Sequence, residues 1–480
     1  MTDGKLRHPT GLYILSFAEA CDRISYYGIQ AVLMLYVTKQ FLFSDQQAYA
    51  TFGLYSALGF ATPVIGGYIA DRYLGLRYAI TLGTLLIAIG NFILIYPLPL
   101  PFYSGLACVV LGIGLLKGNA STQLGVCYKN NQTLRSGGFT LFYMAMNLGG
   151  ILGPVLFGIG TATILGWKGG FIVSGACMLL ASALYLIYRK YFGQHNNTPV
   201  LSKKPQLTQF LAVAAILCLL LMFIALFQHP NIFSNIIAIM AVAMVVGFIV
   251  SMCKMAGSER QRVIVFAAFC IFTIMVAAGE MQMGSSMMLY VSRAMQHTLF
   301  GFTIPVEFFA SVEPFAVIVL AFVFSAASKR LGYENKTISA PFMVALGVLL
   351  SGLAFIVLSL SASIEFVDGV NVRMWLMIFG NVLLGAGELC AIPTIMAAIE
   401  FLAPKHLKSS FMGIYFLAFA FSGYLSGLMG KVGETLLKST LLHMSQATYY
   451  RDFFGYIGVV TLVVACVAYA LAKTLKKMMK

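Results

Sequence analysis

The chain has 480 residues, of which 60% are hydrophobic and only 10% carry a charge. Soluble domains carry charges on about 25% of their residues, so this chain has too few charges to cover a water-facing surface. Soluble enzymes, nucleic-acid binders and disordered scaffolds are therefore excluded. The nine cysteines include no CxxC pair and indicate neither a disulfide framework nor a zinc site. The composition predicts a membrane protein whose main partner is the lipid bilayer, with no nucleic-acid partner.

Fourteen apolar runs are long enough to cross a bilayer as helices, which takes about 20 residues each. Helices are expected because lipid offers no hydrogen-bond partners to the backbone, and the alternating segments typical of a β-barrel do not occur. The approximate cores of the runs are 11–37, 48–70, 78–97, 102–125, 139–164, 168–189, 208–227, 233–253, 263–290, 306–326, 338–360, 374–398, 409–431 and 452–472.

The distribution of Lys and Arg residues predicts the orientation of these runs. With the N-terminus in the cytoplasm, 22 of the 31 basic residues fall in cytoplasmic segments and 7 on the opposite side. The remaining two, Arg23 and Lys117, lie inside runs. This bias follows the positive-inside rule and accounts for most of the net charge of +15. We predict a multi-pass membrane protein with both termini in the cytoplasm.

The spacing of the runs predicts the domain organisation. Six runs precede the longest polar stretch, 190–207, two uncharged runs follow it, and six more complete the chain. We predict an all-α polytopic fold with an N-terminal six-helix bundle (1–190), a cytoplasmic linker and inserted helical hairpin (191–258), and a C-terminal six-helix bundle (259–480). Paired six-helix halves are typical of secondary transporters, whose substrate site lies between the halves.

Charged residues inside membrane runs are costly and are candidates for function. The first run carries a polar stripe at helical spacing, and Lys117 on the fourth run is the expected partner of its acids. One interpretation is a buried structural salt bridge; the other is a carboxylate–cation cluster that a proton can break. The stripe consists of Glu19, Asp22, Arg23, Tyr26, Tyr27 and Gln30.

The second half carries three further carboxyl groups inside runs. Glu388 lies in the stretch GAGELCAIP, 385–393, whose glycines and proline indicate close packing or a kink. A carboxylate there suits an ammonium group, although a protonated glutamate bonded to a neighbour is the alternative. The same two interpretations hold for Glu280 and for Glu313, which precedes Pro314. Glu307 and Glu400 lie nearer to run ends, where they can reach the membrane interface.

Four motifs carry a resemblance to a known family. The loop GYIADRYLGLR, 67–77, resembles the GxxxDRxxGxR motif of the major facilitator superfamily. The stretch EACDRISYYG, 19–28, is similar to the ExxERFxYYG signature of the proton-dependent oligopeptide transporter family. The stretches 112–121 and 142–149 resemble its second signature, and 385–393 resembles its tenth-helix region. The resemblance covers nearly the whole chain, and fourteen runs match the layout of bacterial members.

The resemblance implies a proton-coupled symporter of the bacterial inner membrane. It would import di- or tripeptides or related amino-acid substrates by alternating access, as a functional monomer, with protons as coupling ion and no cofactor or metal. The proton-coupling residues would be Glu19, Asp22, Arg23, Lys117 and Glu280. The substrate-binding residues would be Arg23, Tyr27, Gln30, Lys117, Asn147, Gln282, Glu313 and Glu388. A conformational latch would comprise Asp71, Arg72 and Arg77.

Four positions that depart from the family pattern bear on the choice of substrate. Gln30 stands where most peptide transporters have a second Arg, and Met281 stands where the family has an acid, so the usual extracellular pair of these two is in doubt. Phe60 replaces a Tyr, and Glu313 replaces an Asn. The pocket loses a positive charge and gains a carboxyl group, which favours a cationic substrate. We therefore expect a preference for lysine, arginine or basic dipeptides.

Two other classes of protein remain alternatives at this point. A membrane-embedded enzyme would need a Ser/His, HExxH or paired-Asp constellation at membrane depth, and the sequence shows none besides the acid–base cluster. A non-transporting receptor on the same fold would keep binding without transport. A nucleotide-driven pump is not indicated, because the sequence contains no GxxxxGK[ST] motif.

Overall fold

The computed structural model describes residues 8–129, 132–192, 205–230, 232, 236–237, 257–299, 301–330, 339–364, 371–403, 408–440 and 445–479. Within these ranges nearly all residues are helical. The helices are α1 (Thr10–Lys39), α2 (Asp45–Ile69), α3 (Leu76–Leu94), α4 (Pro99–Cys127), α5 (Gln132–Ala162), α6 (Trp167–Ile187), α7 (Pro205–Gln228), α8 (Gly257–Glu280), α9 (Ser286–Ala294), α10 (Val312–Arg330), α11 (Ala340–Ser363), α12 (Val372–Leu402), α13 (Lys408–Thr440) and α14 (Gln446–Met478).

Short irregular elements connect some of these helices. A π-helical turn, Ala70–Leu74, extends α2, and 3₁₀ turns cover Arg189–Phe192, Met281–Gly284 and Val306–Ser311. A hairpin of β1 (Thr298–Leu299) and β2 (Phe302–Thr303) pairs the two strands antiparallel, with Thr298 opposite Thr303. Gly301 in its turn has a φ of 83°, a value that glycine adopts without strain.

The helices confirm the predicted all-α polytopic membrane fold. Twelve segments of the described chain are long and apolar enough to cross a membrane. The 30-residue α1 is also long enough and carries the charged stripe. Most of the predicted run 233–253 lies outside the described residues. The described spans are therefore consistent with fourteen crossings.

Contacts divide the chain into two compact units. The first unit contains Met1–Val32 and Leu58–His229, and the second contains Leu33–Ala57 and Pro230–Lys480. The end of α1 and the first half of α2 thus group with the second half of the chain. This division differs from the predicted sequence boundaries at residues 190 and 258, which remain a prediction.

Glycines bring the helices of the first unit into backbone contact. A Cβ added to Gly66 of α2 would lie 2.1 Å from the carbonyl oxygen of Gly114 on α4. On α5, a Cβ at Gly149 would lie 2.4 Å from the carbonyl oxygen of Ala20 on α1. Small residues at such crossings permit close packing between membrane helices. The packing holds α1, α4 and α5, the helices that carry the predicted site residues of this unit.

Glycines also bring helices of the second unit into backbone contact, here around α12. A Cβ on Gly387 would lie 2.8 Å from the carbonyl oxygen of Gly347 on α11, and one on Gly385 would lie 3.1 Å from the carbonyl oxygen of Glu313 on α10. These contacts hold α12 against α10 and α11 within one helical turn of Glu388. Two predicted site residues, Glu313 and Glu388, are thereby drawn together.

Candidate functional site

The charged stripe of α1 forms a buried ion cluster in the first unit. Arg23 Nη2 lies 3.2 Å from Glu19 Oε1, one helical turn away, and 3.8 Å from Asp22 Oδ2. Both acids are fully buried and Arg23 is 4% exposed. The three residues share one face because spacings of three and four residues return to the same side of a helix. The predicted clustering of these residues on one face is therefore observed.

Hydrogen bonding does not satisfy this cluster. Among the described residues, no hydrogen bond reaches either carboxylate oxygen of Asp22, Oε2 of Glu19 or Nε of Arg23. Buried polar atoms are normally hydrogen-bonded, and an ionised group without partners is costly to bury. A proton on Asp22 would remove a buried charge that no hydrogen bond compensates. The cluster thus has the chemistry of a proton acceptor beside a fixed cation.

Lys117 does not contact the stripe as we expected. Its Nζ lies 4.4 Å from the centre of the Phe60 ring, a cation–π arrangement. The charge of Lys117 still acts on Glu19 and Asp22. The direct ion pairs go to Arg23 because that residue is already on the same helix as the acids. The role of Lys117 as the partner of these acids in proton coupling remains a prediction.

The other predicted residues of the first unit lie on α1 and α5. Tyr27 is half-buried on α1, in edge-to-face contact with Tyr26 at 5.2 Å between ring centres. Gln30 is 7% exposed, two turns after Arg23. Asn147 on α5 is half-buried and donates its Nδ2 to the carbonyl oxygen of Tyr143, at 2.9 Å. Their roles in substrate binding remain predictions.

Three glutamates converge in the second unit. Glu280 ends α8, Glu313 lies in the first turn of α10, and Glu388 lies in the middle of α12. One carboxylate oxygen from each lies within 4.8 Å of the other two. Glu313 is 4% exposed, and its Oε1 has no hydrogen-bond partner among the described residues. We call these residues the three-glutamate cluster.

The negative charges of the three-glutamate cluster favour the binding of a proton or a cation. Three ionised carboxylates at this spacing repel one another strongly, so a proton or a bound cation stabilises the arrangement. Carboxylate oxygens suit an ammonium group and also a hard metal ion. Tyr415 of α13, fully buried, is close enough for the charges of Glu280 and Glu388 to act on it. No sequence pattern pointed to Tyr415.

Gln282, also predicted to bind substrate, is buried and fully hydrogen-bonded within the protein. It is fully buried, and its amide makes four hydrogen bonds. Its Nε2 donates to the carbonyl and hydroxyl oxygens of Ser426, and its Oε1 accepts from Ser285 and Ser286. This arrangement links the 3₁₀ turn after α8 to α13 and favours a structural role, while the predicted role in substrate binding remains a prediction.

The predicted latch lies on the π-helical turn after α2. Asp71 and Arg72 are exposed, and Arg72 donates to the Tyr68 hydroxyl at 3.2 Å. Gly75 then takes a φ of 76° before α3 begins with Leu76 and Arg77. This positive φ, which glycine adopts without strain, explains why the motif has a glycine at position 75. The latch role of Asp71, Arg72 and Arg77 remains a prediction.

Two charged features were missed or misjudged from the sequence. Glu307, expected to reach the membrane interface, is 3% exposed in the 3₁₀ turn before α10. The side chain of Glu400 lies outside the part of the chain that the structure describes. Asp45 and Arg293 form a bidentate ion pair with both N–O distances at 2.7 Å. Their separation of 248 positions left no local signal for this pair.

Comparison with known proteins decides the family. The model described as the POT family matches residues 77–440, well over half of the chain. The chain belongs to the POT family. It is 28% identical to dipeptide and tripeptide permease A of Erwinia pyrifoliae, over 98% of this chain and 95% of the relative. It is also 28% identical to dipeptide and tripeptide permease B of Salmonella typhimurium, over 99% and 97% of the two chains.

Solved structures agree with this POT assignment. A peptide transporter POT in complex with sulfate superimposes with a TM-score of 0.85, at 27% identity over 99% of this chain and 97% of that one. A POT family transporter in complex with 5-aminolevulinic acid gives a TM-score of 0.82, at 25% identity over 98% of each chain. The predicted major facilitator fold is confirmed. The protein is a multi-pass membrane transporter, so the alternative of a membrane-embedded enzyme is not supported.

Proposed function

We propose that this POT protein is a proton-coupled symporter that imports di- and tripeptides or related amino-acid substrates by alternating access. The relatives named as dipeptide and tripeptide permeases support the substrate class. The charge bias of the loops supports a location in the bacterial inner membrane with both termini cytoplasmic. The coupling ion is the proton, no cofactor or metal is required, and the monomer is the working unit.

One observation carries this proposal: the two units each hold a buried charge cluster of different character. In the first unit, Arg23 and Lys117 supply positive charge suited to a substrate carboxylate, with Tyr27 beside them on α1. In the second unit, Glu388 supplies negative charge suited to a substrate amino group, and one oxygen each of Glu280, Glu313 and Glu388 suits the ammonium group of a basic side chain. Short peptides and amino acids carry a group of each charge, which supports this substrate class.

The α1 cluster supports proton coupling. With both acids ionised, Arg23 is held by Glu19 at 3.2 Å and attracted by Asp22 at 3.8 Å. A proton on either acid weakens this hold and leaves Arg23 and Lys117 with more unbalanced positive charge. That charge then attracts the substrate carboxylate. Loss of the proton on the inner side restores the pairing and expels the substrate.

The three-glutamate cluster supports a preference for cationic substrates. One oxygen from each glutamate lies within 4.8 Å of the other two, so some point lies within 4.8 Å divided by √3, about 2.8 Å, of all three of these oxygens. That distance matches a charged N–H···O hydrogen bond. A primary ammonium group has three donors and can bind all three oxygens, whereas a guanidinium presents a planar fork. We therefore propose that lysyl side chains bind better than arginyl side chains.

Uptake by the purified protein in proteoliposomes tests the proposed function. With an inward proton gradient, wild-type protein should accumulate labelled dipeptide, and a protonophore should abolish accumulation. Glu19→Gln and Lys117→Ala should each abolish gradient-driven uptake. Lys168→Ala, at an exposed lysine of α6, is the matched control and should leave uptake unchanged. Wild-type accumulation by Glu19→Gln or Lys117→Ala would refute the coupling assignment, and binding without accumulation would indicate a receptor.

A further inference from the structure

The ammonium group of Lys117 lies against an aromatic ring and not against a carboxylate. Its Nζ is 4.4 Å from the centre of the Phe60 ring. Lys117 is on α4 and Phe60 on α2, and both belong to the first unit. An ammonium group within about 6 Å of a ring centre is attracted by the negative face of the ring. Phe60 therefore gives this intramembrane cation an uncharged partner.

Backbone packing between α2 and α4 fixes the position of this contact. The Thr62 hydroxyl donates to the carbonyl oxygen of Val110 at 2.9 Å. A Cβ added to Gly114 would lie 2.7 Å from the carbonyl oxygen of Thr62. Thr62 follows Phe60 by two positions and Gly114 precedes Lys117 by three, so the helix crossing lies within one turn of both members of the contact. The crossing presents the ring to the lysine.

Aromatic contacts also hold the Phe60 ring from the side of α1. The ring meets Tyr26 edge to face, with 6.1 Å between ring centres and 88° between ring planes. Tyr26 is itself in edge-to-face contact with Tyr27, at 5.2 Å. A Cβ on Gly59 would lie 2.6 Å from the Tyr26 ring, so there is little room beside it. The orientation of Phe60 is therefore set by two neighbouring helices.

The acids of α1 compete with the ring for Lys117. The charges of Asp22 and Glu19 attract Lys117, whereas the charge of Arg23 repels it. Among the described residues these are the charged groups that act on Lys117, and Tyr27 acts on Arg23. Both oxygens of Asp22 and Oε2 of Glu19 receive no hydrogen bond from the described residues. A lysine that left the ring would therefore find acceptor oxygens on α1.

We propose that Phe60 is a positioning residue that holds the Lys117 ammonium group away from the acids of α1 while the substrate site is empty. The inference rests on the proposed proton-coupled function and adds a residue to its machinery. An acid that is not paired with Lys117 binds a proton more readily, because no nearby cation favours its ionised form. A lysine outside an ion pair is also available to the carboxylate of an incoming substrate.

Replacement of Phe60 by a trifluorinated phenylalanine tests the proposal in the full-length protein. Fluorine withdraws electrons from the ring face and weakens the cation–π attraction while the ring stays in place. Contacts of this kind change an equilibrium by roughly 2- to 30-fold. Lys117 should then pair with the acids, so the KM for dialanine uptake should rise within that range. The pH of half-maximal uptake should fall by about 0.3 to 1.5 units, because a paired acid is protonated only at lower pH.

Matched variants separate the ring face from the packing. Phe60→Tyr keeps an aromatic face and should stay within twofold of wild type in KM, whereas Phe60→Leu should show the full rise in KM and the full acid shift. The same fluorinated residue at Phe52 is the control. Phe52 is fully buried on α2, and the described part of the chain places no cation over its ring. Fluorination there should change neither KM nor the pH profile.

Nuclear magnetic resonance gives a readout that needs no transport. Lysines dimethylated with isotope-labelled methyl groups keep their charge, and methyl groups above an aromatic ring give proton signals at unusually low chemical shift. The Lys117 signal, identified by its loss in Lys117→Arg, should show this ring shift in wild-type protein. Its chemical shift should move towards that of an ordinary lysine when Phe60 is fluorinated or changed to leucine.

The outcomes separate the role of Phe60 from the transport function. A Lys117 signal without a ring shift, or one that fluorination of Phe60 leaves in place, would overturn the proposal. An unchanged KM and pH profile in the fluorinated protein would overturn it as well. A ring-shifted signal that responds to fluorination, in a protein that accumulates no peptide, would support the placement of Lys117 and refute the proposed function alone.

Discussion

Glu313→Gln removes the one acid of the three-glutamate cluster that replaces an Asn of the family pattern. The glutamine keeps the size and one acceptor oxygen of the glutamate while losing its charge. A hydrogen bond to a charged acceptor contributes about 1.5–3 kcal/mol and a neutral one about 0.5–1.5 kcal/mol. A lysyl ammonium held by all three oxygens should therefore lose about 1–2 kcal/mol, which corresponds to roughly a 5- to 30-fold weaker affinity.

The measurement is competition uptake in proteoliposomes with dialanine, dilysine and free lysine as competitors. Wild-type protein should be inhibited best by dilysine, and Glu313→Gln should lose most of this advantage while its inhibition by dialanine changes less than threefold. Glu307→Gln is the matched control, because Glu307 is equally buried, at 3% exposure, but lies outside the three-glutamate cluster.

Two outcomes would refute this reasoning. Equal inhibition of the wild-type protein by neutral and basic peptides would show that the three-glutamate cluster does not select cationic substrates. Equal losses for dialanine and dilysine in Glu313→Gln would show that the carboxylate supports the fold or the coupling and does not bind the extra ammonium group. A diarginine competitor adds a further check, since it should inhibit less than dilysine if the geometry selects primary ammonium groups.

The remaining predictions concern packing and the role of a buried amide. Gly66→Ala should destabilise the protein by about 1–3 kcal/mol because its Cβ would lie 2.1 Å from the Gly114 carbonyl oxygen, seen as a lower melting temperature in detergent. Gly67→Ala has no atom within 4 Å of the added Cβ and should melt like wild type; equal melting of the two variants would contradict the packing argument. Gln282→Ala should also lower the melting temperature, because it leaves partners of four hydrogen bonds unsatisfied. Unchanged melting with a raised KM would instead support a direct substrate role for Gln282.

Local periodicity explains what could be predicted of the site. Glu19, Asp22 and Arg23 lie within five residues of one helix, so helical spacing alone places them on one face. Their pairing was therefore predictable from the sequence. Lys117 comes from another helix, and its placement on the Phe60 ring depends on how α4 packs beside α2 through Gly66 and Gly114. Spacing along the chain contains no information about that crossing.

By itself, the sequence determined the membrane environment, the number of apolar runs and the family of this transporter, because these depend on composition, hydrophobic length and short motifs. Only the tertiary structure decided that Glu280, Glu313 and Glu388, from three different helices, meet within 4.8 Å of one another. It also decided that Asp45 pairs with Arg293. The physical reason is that helix crossings are selected by close backbone approach at glycines, which is a property of two surfaces together.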